Sequence, residues 1–88
     1  MNSETLNTTS AINDLPQVNF SEALEALKKG HKVSRLGWNG KGMYLEAQYP
    51  DENSKIKQAY IYIVPGEEYI VPWVASQVDL FAEDWVIL

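Results

Sequence analysis

Over positions 19–88 the apolar residues change period once, and that change divides the chain into a helical part and a strand part. Phe20, Ala23, Leu24 and Leu27 follow the i, i+3, i+4, i+7 spacing of one helical stripe. Asn19 stands just ahead of them, with Glu22 three residues on, which is the pairing of a capping box. Lys28 and Lys29 put cations where the C-terminal end of the helix dipole favours them, and Gly30 is suited to the left-handed residue that stops a helix. The pattern predicts an amphipathic helix over 20–29.

Beyond Gly30 the period falls to two. Residues 31–36 read as a strand; Met43, Leu45, Ala47 and Tyr49 alternate with Tyr44, Glu46 and Gln48; Ile61 and Ile63 alternate with Tyr60 and Tyr62. Asn39-Gly40 lies between the first two runs, and Asn-Gly in that setting is the strongest short-range hairpin signal. Pro65-Gly66 fits a type II turn joining 60–64 to 69–73, because proline presets φ and glycine supplies φ > 0. Residues 50–57 are polar and read as a surface loop. Ser76-Gln77-Val78-Asp79 resembles a second capping box, opening a brief helical turn with Leu80 and Phe81, and 85–88 close the chain as a strand. These elements add up to an α+β fold: one N-terminal helix on a small, mostly antiparallel sheet of four to five strands, with a short second helical turn before the C-terminal strand.

Residues 1–16 are rich in Asn, Ser and Thr, hold no aromatic residue and show no sustained apolar period. They predict a flexible tail over 1–18 and a single α+β ligand-binding domain over 19–88. A lone core of that size contributes only about 3–5 kcal/mol. The chain has no cysteine, so a disulfide or a thiolate-held metal cannot reinforce it, and association with further copies is the remaining way to stabilise it. Absence of cysteine also removes thiolate catalysis and, with no readable secretory or membrane-spanning segment, leads us to expect a cytoplasmic protein.

Twelve acidic residues against seven Lys and Arg leave a net charge of −5, which argues against duplex nucleic acid as a partner, since such binding rests on clustered cations. A small anion remains possible, because one phosphate needs few cations and a few backbone N–H groups. Catalytic chemistry is thinly represented: His31 is the sole histidine, and no serine, histidine and acid form a recognisable motif. Asp79, Glu83 and Asp84 form an acidic group that reads either as a cation or acid–base site or as helix-start carboxylates, and the second reading is the simpler.

Binding chemistry is better represented. Three tryptophans and five tyrosines are a heavy aromatic load for 88 residues. Trp85, in the terminal strand with Ile87 on its face, reads as core. Trp38 sits at the rim of the Asn-Gly turn and has two readings, a stacking platform for a base or a ring folded back over the sheet or into a subunit interface. Around it run Arg35-Leu36-Gly37-Trp38-Asn39-Gly40-Lys41-Gly42, three glycines permitting close backbone approach and two cations flanking the ring.

The segment from Phe20 to Gly30, the run from Val33 to Leu45 containing Gly-Trp-Asn-Gly-Lys-Gly-Met, and Pro72 to Trp85 with Ser-Gln-x-Asp and Glu-Asp-Trp resemble a family of small phage and prophage proteins. That family contains the second type of Thoeris anti-defence protein, and the likeness covers about residues 19–88. It implies a sponge without catalytic residues, metal or cofactor. In Thoeris defence a TIR-domain enzyme turns NAD into a cyclic ADP-ribose isomer that activates an NADase effector; proteins of this type bind 1''-3' glycocyclic ADP-ribose unaltered, as tetramers with pockets between protomers. Some relatives also hold cyclic oligonucleotides of another defence system.

On this implication Trp38 stacks on the adenine, Arg35 and Lys41 face the pyrophosphate, and Asn39 bonds a base edge or ribose, with Gly40 and Met43 beside them. Ser76, Gln77 and Asp79 then serve ribose hydroxyls, and Trp73 walls the pocket. The setting implied is the cytoplasm of an infected or lysogenic bacterium. The residues themselves leave other readings open: a sponge for cyclic oligonucleotides, an enzyme using Asp79, Glu83 or Asp84 on the messenger, or an interaction module inhibiting a host defence enzyme through exposed aromatics.

Overall fold

A computed structural model describes residues 12–38, 42–65 and 69–88. The Asn39-Gly40 turn, the Gly66 half of the Pro65-Gly66 turn and residues 1–11 of the expected tail lie outside the described residues. Helix α1 spans Phe20–Lys28 and strands β1 to β4 span Val33–Arg35, Tyr44–Gln48, Tyr60–Val64 and Val71–Pro72. Helix α2 spans Gln77–Phe81 and strand β5 spans Trp85–Ile87. All neighbouring strands are antiparallel, in the order β4-β3-β2-β1-β5. This is the expected α+β fold with five strands.

The ends of α1 follow the sequence closely. Asn19 Oδ1 accepts from the Glu22 N–H at 2.9 Å, and Glu22 Oε1 accepts from the Asn19 N–H at 3.3 Å, so two of the helix's unpaired donors are satisfied reciprocally. At the other end Gly30 has φ of 94°, while its N–H donates to Leu27 O and the His31 N–H donates to Ala26 O, both at 3.0 Å. Those two bonds are a Schellman motif, and the positive φ is what requires glycine there.

The predicted hairpins appear as pairings. Val33 faces Leu45 across β1 and β2, and Tyr44 through Gln48 face Val64 through Tyr60 across β2 and β3. The strands are shorter than the alternation suggests: β1 begins only at Val33, β2 stops at Gln48 and β4 keeps two residues. Pro72 accounts for part of the last, because it has no N–H for a ladder and is tolerated on an edge strand. The loop over 50–57 is closed by Asp51, whose Oδ1 accepts from the Asn53 N–H at 2.9 Å.

One face of the sheet carries the core. Ala23, Ala26 and Leu27 of α1 pack on Val33, Leu45 and Trp85, all buried, and Phe20, Leu24, Ile61, Ile63, Trp38 and Trp73 surround them. Val18 joins this unit as well, pairing with Trp85 through backbone bonds of 2.8 and 3.1 Å. On the opposite face, Tyr62 donates to Glu46 Oε1 at 2.7 Å across the β2–β3 pair. Burial, with that carboxylate next, pushes the Tyr62 phenol up to about 12.

Leu27 is fully buried at the contact of α1 with the sheet, so truncating it leaves a cavity that the short helix cannot close. We expect Leu27→Ala to lose about 2–5 kcal/mol of unfolding free energy, read as a lower urea midpoint with little change in slope.

Candidate functional site

The site is assembled where β1 ends, where α2 begins and where β5 starts. Arg35, the last residue of β1, faces Trp85 in the β1–β5 register, which sets it beside Asp84. The Leu36 N–H then donates to Asp84 O at 3.1 Å, and the Trp38 N–H turns back onto Arg35 O at 3.2 Å. Helix α2 is held by its own capping box: Ser76 Oγ accepts from the Asp79 N–H at 3.0 Å, and Asp79 Oδ2 accepts from the Ser76 N–H at 3.2 Å. The long-range β1–β5 register and the local cap of α2 thus bring Arg35 and Asp79 to one place.

Arg35 lies between two carboxylates. Its Nε donates to Asp84 Oδ1 at 2.8 Å and its Nη2 to Asp84 Oδ2 at 3.4 Å, while Nη1 donates to Asp79 Oδ1 at 2.9 Å. The Gly37 N–H adds a bond of 2.8 Å to Asp84 Oδ2. A Cβ at Gly37 would stand 2.8 Å from that same oxygen, so a larger residue there would have to displace the Asp84 carboxylate. Asp79 Oδ1 also accepts from Trp38 Nε1 at 3.2 Å, and the Asp79 carbonyl accepts from Trp85 Nε1 at 3.0 Å. Asp79, among the described buried polar residues, thus has both carboxylate oxygens and its carbonyl bonded to protein donors.

The electrostatics follow from these contacts. The hydrogen bond to Asp84 raises the Arg35 guanidinium above its usual value against the opposing effect of burial, and Asp79 adds to the rise. Asp84 is held below the ordinary carboxylate range, first by the Arg35 bond and then, against partial burial, by the Gly37 N–H. Burial would push Asp79 up, but the bonds from Arg35, the Ser76 backbone and Trp38 outweigh it and lower it. One guanidinium against two carboxylates leaves this cluster with a charge of 1 − 2 = −1.

Aromatic rings wall the cluster. Trp38 meets Trp85 edge-on with centroids 5.4 Å apart, and Trp73 meets Trp85 the same way at 6.1 Å. Phe20 closes the group, 5.8 Å from Trp73 and 5.2 Å from Trp85. Trp85 is fully buried, as expected of it, whereas Trp38 and Trp73 are half-buried. Of the two readings of Trp38, the ring does fold back against the core, and part of it remains accessible.

The residues singled out from the sequence thus separate into three groups. Arg35, Trp38, Ser76 and Asp79 are linked by hydrogen bonds, and Trp73 joins them through Trp85. Gln77 is exposed at the start of α2; Met43 is half-buried and its carbonyl accepts from Ser34 Oγ at 2.7 Å. Asn39, Gly40 and Lys41 lie outside the described residues. Arg35, expected at a pyrophosphate, is ion-paired with Asp79 and Asp84, and the Asp79 carboxylate, expected at ribose hydroxyls, accepts three protein N–H groups. The sequence singles out Asp84 only within the acidic group with Asp79 and Glu83 and not among the ligand-binding residues; its partnership with Arg35 emerges only once β5 is known to lie beside β1. Among the described residues, no group of three or more His, Asp or Glu side chains is arranged to hold a metal.

Asp84 has a lower pKa folded than unfolded, so its contribution to stability is complete above the unfolded carboxylate value of about 3.9 and disappears as pH falls through the folded one. We expect Asp84→Asn to cost on the order of 1–3 kcal/mol near pH 7 and to flatten the loss of stability below about pH 4, measured by urea unfolding across pH.

Comparison with known proteins gives the family. The Tad2-like family model, described as a Thoeris anti-defense 2-like domain, matches residues 18–88, a span that begins at the residue bridging to Trp85. A protein of Bacillus phage SP01 named "Thoeris anti-defense 2" is 38% identical over 85 residues, covering 82% of this chain and 96% of the phage protein. With a family match running through both capping boxes, the tryptophan cluster and the Arg35 ion pairs, the chain belongs to the Thoeris anti-defense 2-like family.

Proposed function

We propose that this protein is a phage anti-defence sponge that binds 1''-3' glycocyclic ADP-ribose and holds it without cleaving it, so that the Thoeris effector is not activated. The observation that carries the reading is family membership across the whole described domain; the phage relative is named for that defence system. The site chemistry supports it. Trp38 offers a partly accessible indole whose edge is already fixed, and stacking on such a ring is worth about 1–3 kcal/mol per base. Sequestration then acts by mass action, and nanomolar affinity corresponds to about −12 kcal/mol.

Within the proposal the roles are divided. Trp38 stacks on the base, Trp73 forms a wall, and Ser76 and Gln77 at the exposed start of α2 reach ribose hydroxyls. Asn39, Gly40, Lys41 and Met43 complete the proposed set, with Lys41 the cation assigned to the pyrophosphate because Arg35 is ion-paired with two carboxylates. The place of action is the cytoplasm of the bacterial host.

The proposal includes a homo-oligomer, a tetramer in which pockets form between protomers. What supports it is a ridge of apolar side chains beside the site: Val74 is 87% exposed, Phe81 80% and Val78 68%. Val78 and Phe81 are three residues apart on α2, and Val74 stands in the extended segment just ahead of its cap; exposed apolar side chains of this kind on a small domain mark a contact surface. An interface there would add burial to a core too small to be very stable alone.

The deciding experiment mixes purified protein with the TIR-made isomer, removes free ligand by filtration, denatures the protein and weighs what is released. Depletion of the filtrate and release of intact ligand at up to one equivalent per protomer are expected, with Trp38→Ala losing capture while its fold and assembly persist. A product of altered mass would establish hydrolysis instead, and no depletion would turn attention to another cyclic nucleotide or a protein target. Separately, Phe81→Asp should shift the mass measured by light scattering toward a single chain, since each ridge would bring an uncompensated charge into the contact.

A further inference from the structure

Asp79 joins three parts of the fold that are distant in sequence. Its Oδ1 takes the Arg35 Nη1–H and the Trp38 Nε1–H, its Oδ2 takes the Ser76 N–H, its own N–H goes to Ser76 Oγ and its carbonyl takes the Trp85 Nε1–H. A carboxylate so occupied has little capacity left for a ligand hydroxyl. It does, however, determine where the Trp38 ring stands. That ring is otherwise restrained by its edge contact with Trp85 and by a backbone bond to Arg35 O, neither of which sets its rotation about the side-chain axis as a directed N–H bond does.

We propose that Asp79 is the positioning residue of the ligand site: by accepting the Trp38 indole N–H it holds the stacking ring in its binding orientation before the ligand arrives, while Arg35 and Ser76 hold Asp79 in turn. The inference rests on the proposed role of Trp38 as the stacking ring and deepens it. Its physical content is preorganisation. A tryptophan at a turn rim that is free to rotate must be ordered on binding, which weakens affinity; one already fixed by a carboxylate does not. Arg35 acquires a function consistent with its ion pairs, because it keeps Asp79 charged and aimed rather than meeting a phosphate itself.

A double-mutant cycle tests the idea, using 1''-3' glycocyclic ADP-ribose as the calorimetric probe. Asp79→Asn preserves size but leaves one acceptor oxygen for the three donors that the carboxylate serves. Trp38→Phe preserves a ring but removes the N–H. Each single change is expected to raise Kd about tenfold, and the double change by about the same tenfold rather than a hundredfold, since both break one link. Multiplying effects would overturn the proposal by showing that Asp79 acts on the ligand independently of Trp38. Should Asp79→Asn fail to fold, Trp38→Phe alone decides, because unchanged affinity would show the indole N–H to be dispensable.

A second measurement needs no ligand. In 15N-labelled protein the Trp38 indole N–H, identified by its loss in Trp38→Phe, should exchange with solvent at least about tenfold faster in Asp79→Asn, while the Trp85 indole, bonded to the Asp79 backbone, keeps its rate. Unchanged Trp38 exchange would overturn the positioning role. Accelerated exchange in a protein whose wild type captures no ligand would support Asp79 as the latch on Trp38 and refute the ligand reading instead.

Discussion

The site depends on a guanidinium held between two carboxylates. Arg35 reaches Asp84 through a paired contact and Asp79 through a single one, and with those bonds the end of β1, the start of α2 and the start of β5 are placed relative to one another. The charges are largely withdrawn from water, so their mutual attraction must offset a desolvation cost that neither could bear unpaired. This interdependence gives the cluster its definition: removal of one carboxylate leaves a cation short of partners, and removal of the cation leaves two acids side by side. Gly37 belongs to the same arrangement, since the Asp84 oxygen occupies the space that a side chain would need.

The aromatic residues turn that polar geometry into a surface. Trp85 is fully buried and donates to the Asp79 carbonyl, so the largest side chain of the core is tied to the residue that also anchors Trp38. Trp38 and Trp73 both meet it edge-on, and both are half-buried. Core packing and site formation are in this way one structure. A small domain has few residues to devote to either alone, and a ring that contributes its buried edge to the core and its open face to a ligand serves both.

Charge sets the terms for any anionic ligand. The protein carries −5 and its described site cluster −1, and Arg35 is already paired with two carboxylates. In the proposed sponge the pyrophosphate is assigned to Lys41, with stacking on Trp38 supplying the rest. Binding that leans on stacking more than on charge also suits an acidic protein, because its affinity would be less weakened by salt than that of a lysine-lined groove.

Local physics made much of the fold legible in the sequence. Both capping boxes, at Asn19–Glu22 and Ser76–Asp79, are short-range pairs whose partners are three residues apart, and the stop at Gly30 needs only a residue that tolerates positive φ. The alternation of Leu45 and Ala47, and of Ile61 and Ile63, placed one face of each strand on the core for the same reason: side-chain periodicity is a property of the chain itself. Family likeness in the Trp38 and Ser76–Trp85 segments was also a matter of residue order alone.

What tertiary structure alone decided was pairing between distant segments. That β5 returns beside β1 rather than beside β4 follows from how the core closes over Trp85, and no local pattern encodes it. From that one adjacency come the Arg35–Asp84 contact, the approach of the Asp84 oxygen to Gly37 and the meeting of Trp38 with Asp79. Arg35 and Asp79 therefore looked from the sequence like groups available to a ligand. Their charges are satisfied across more than forty residues of chain, and only the closed fold brings those opposite charges within bonding distance.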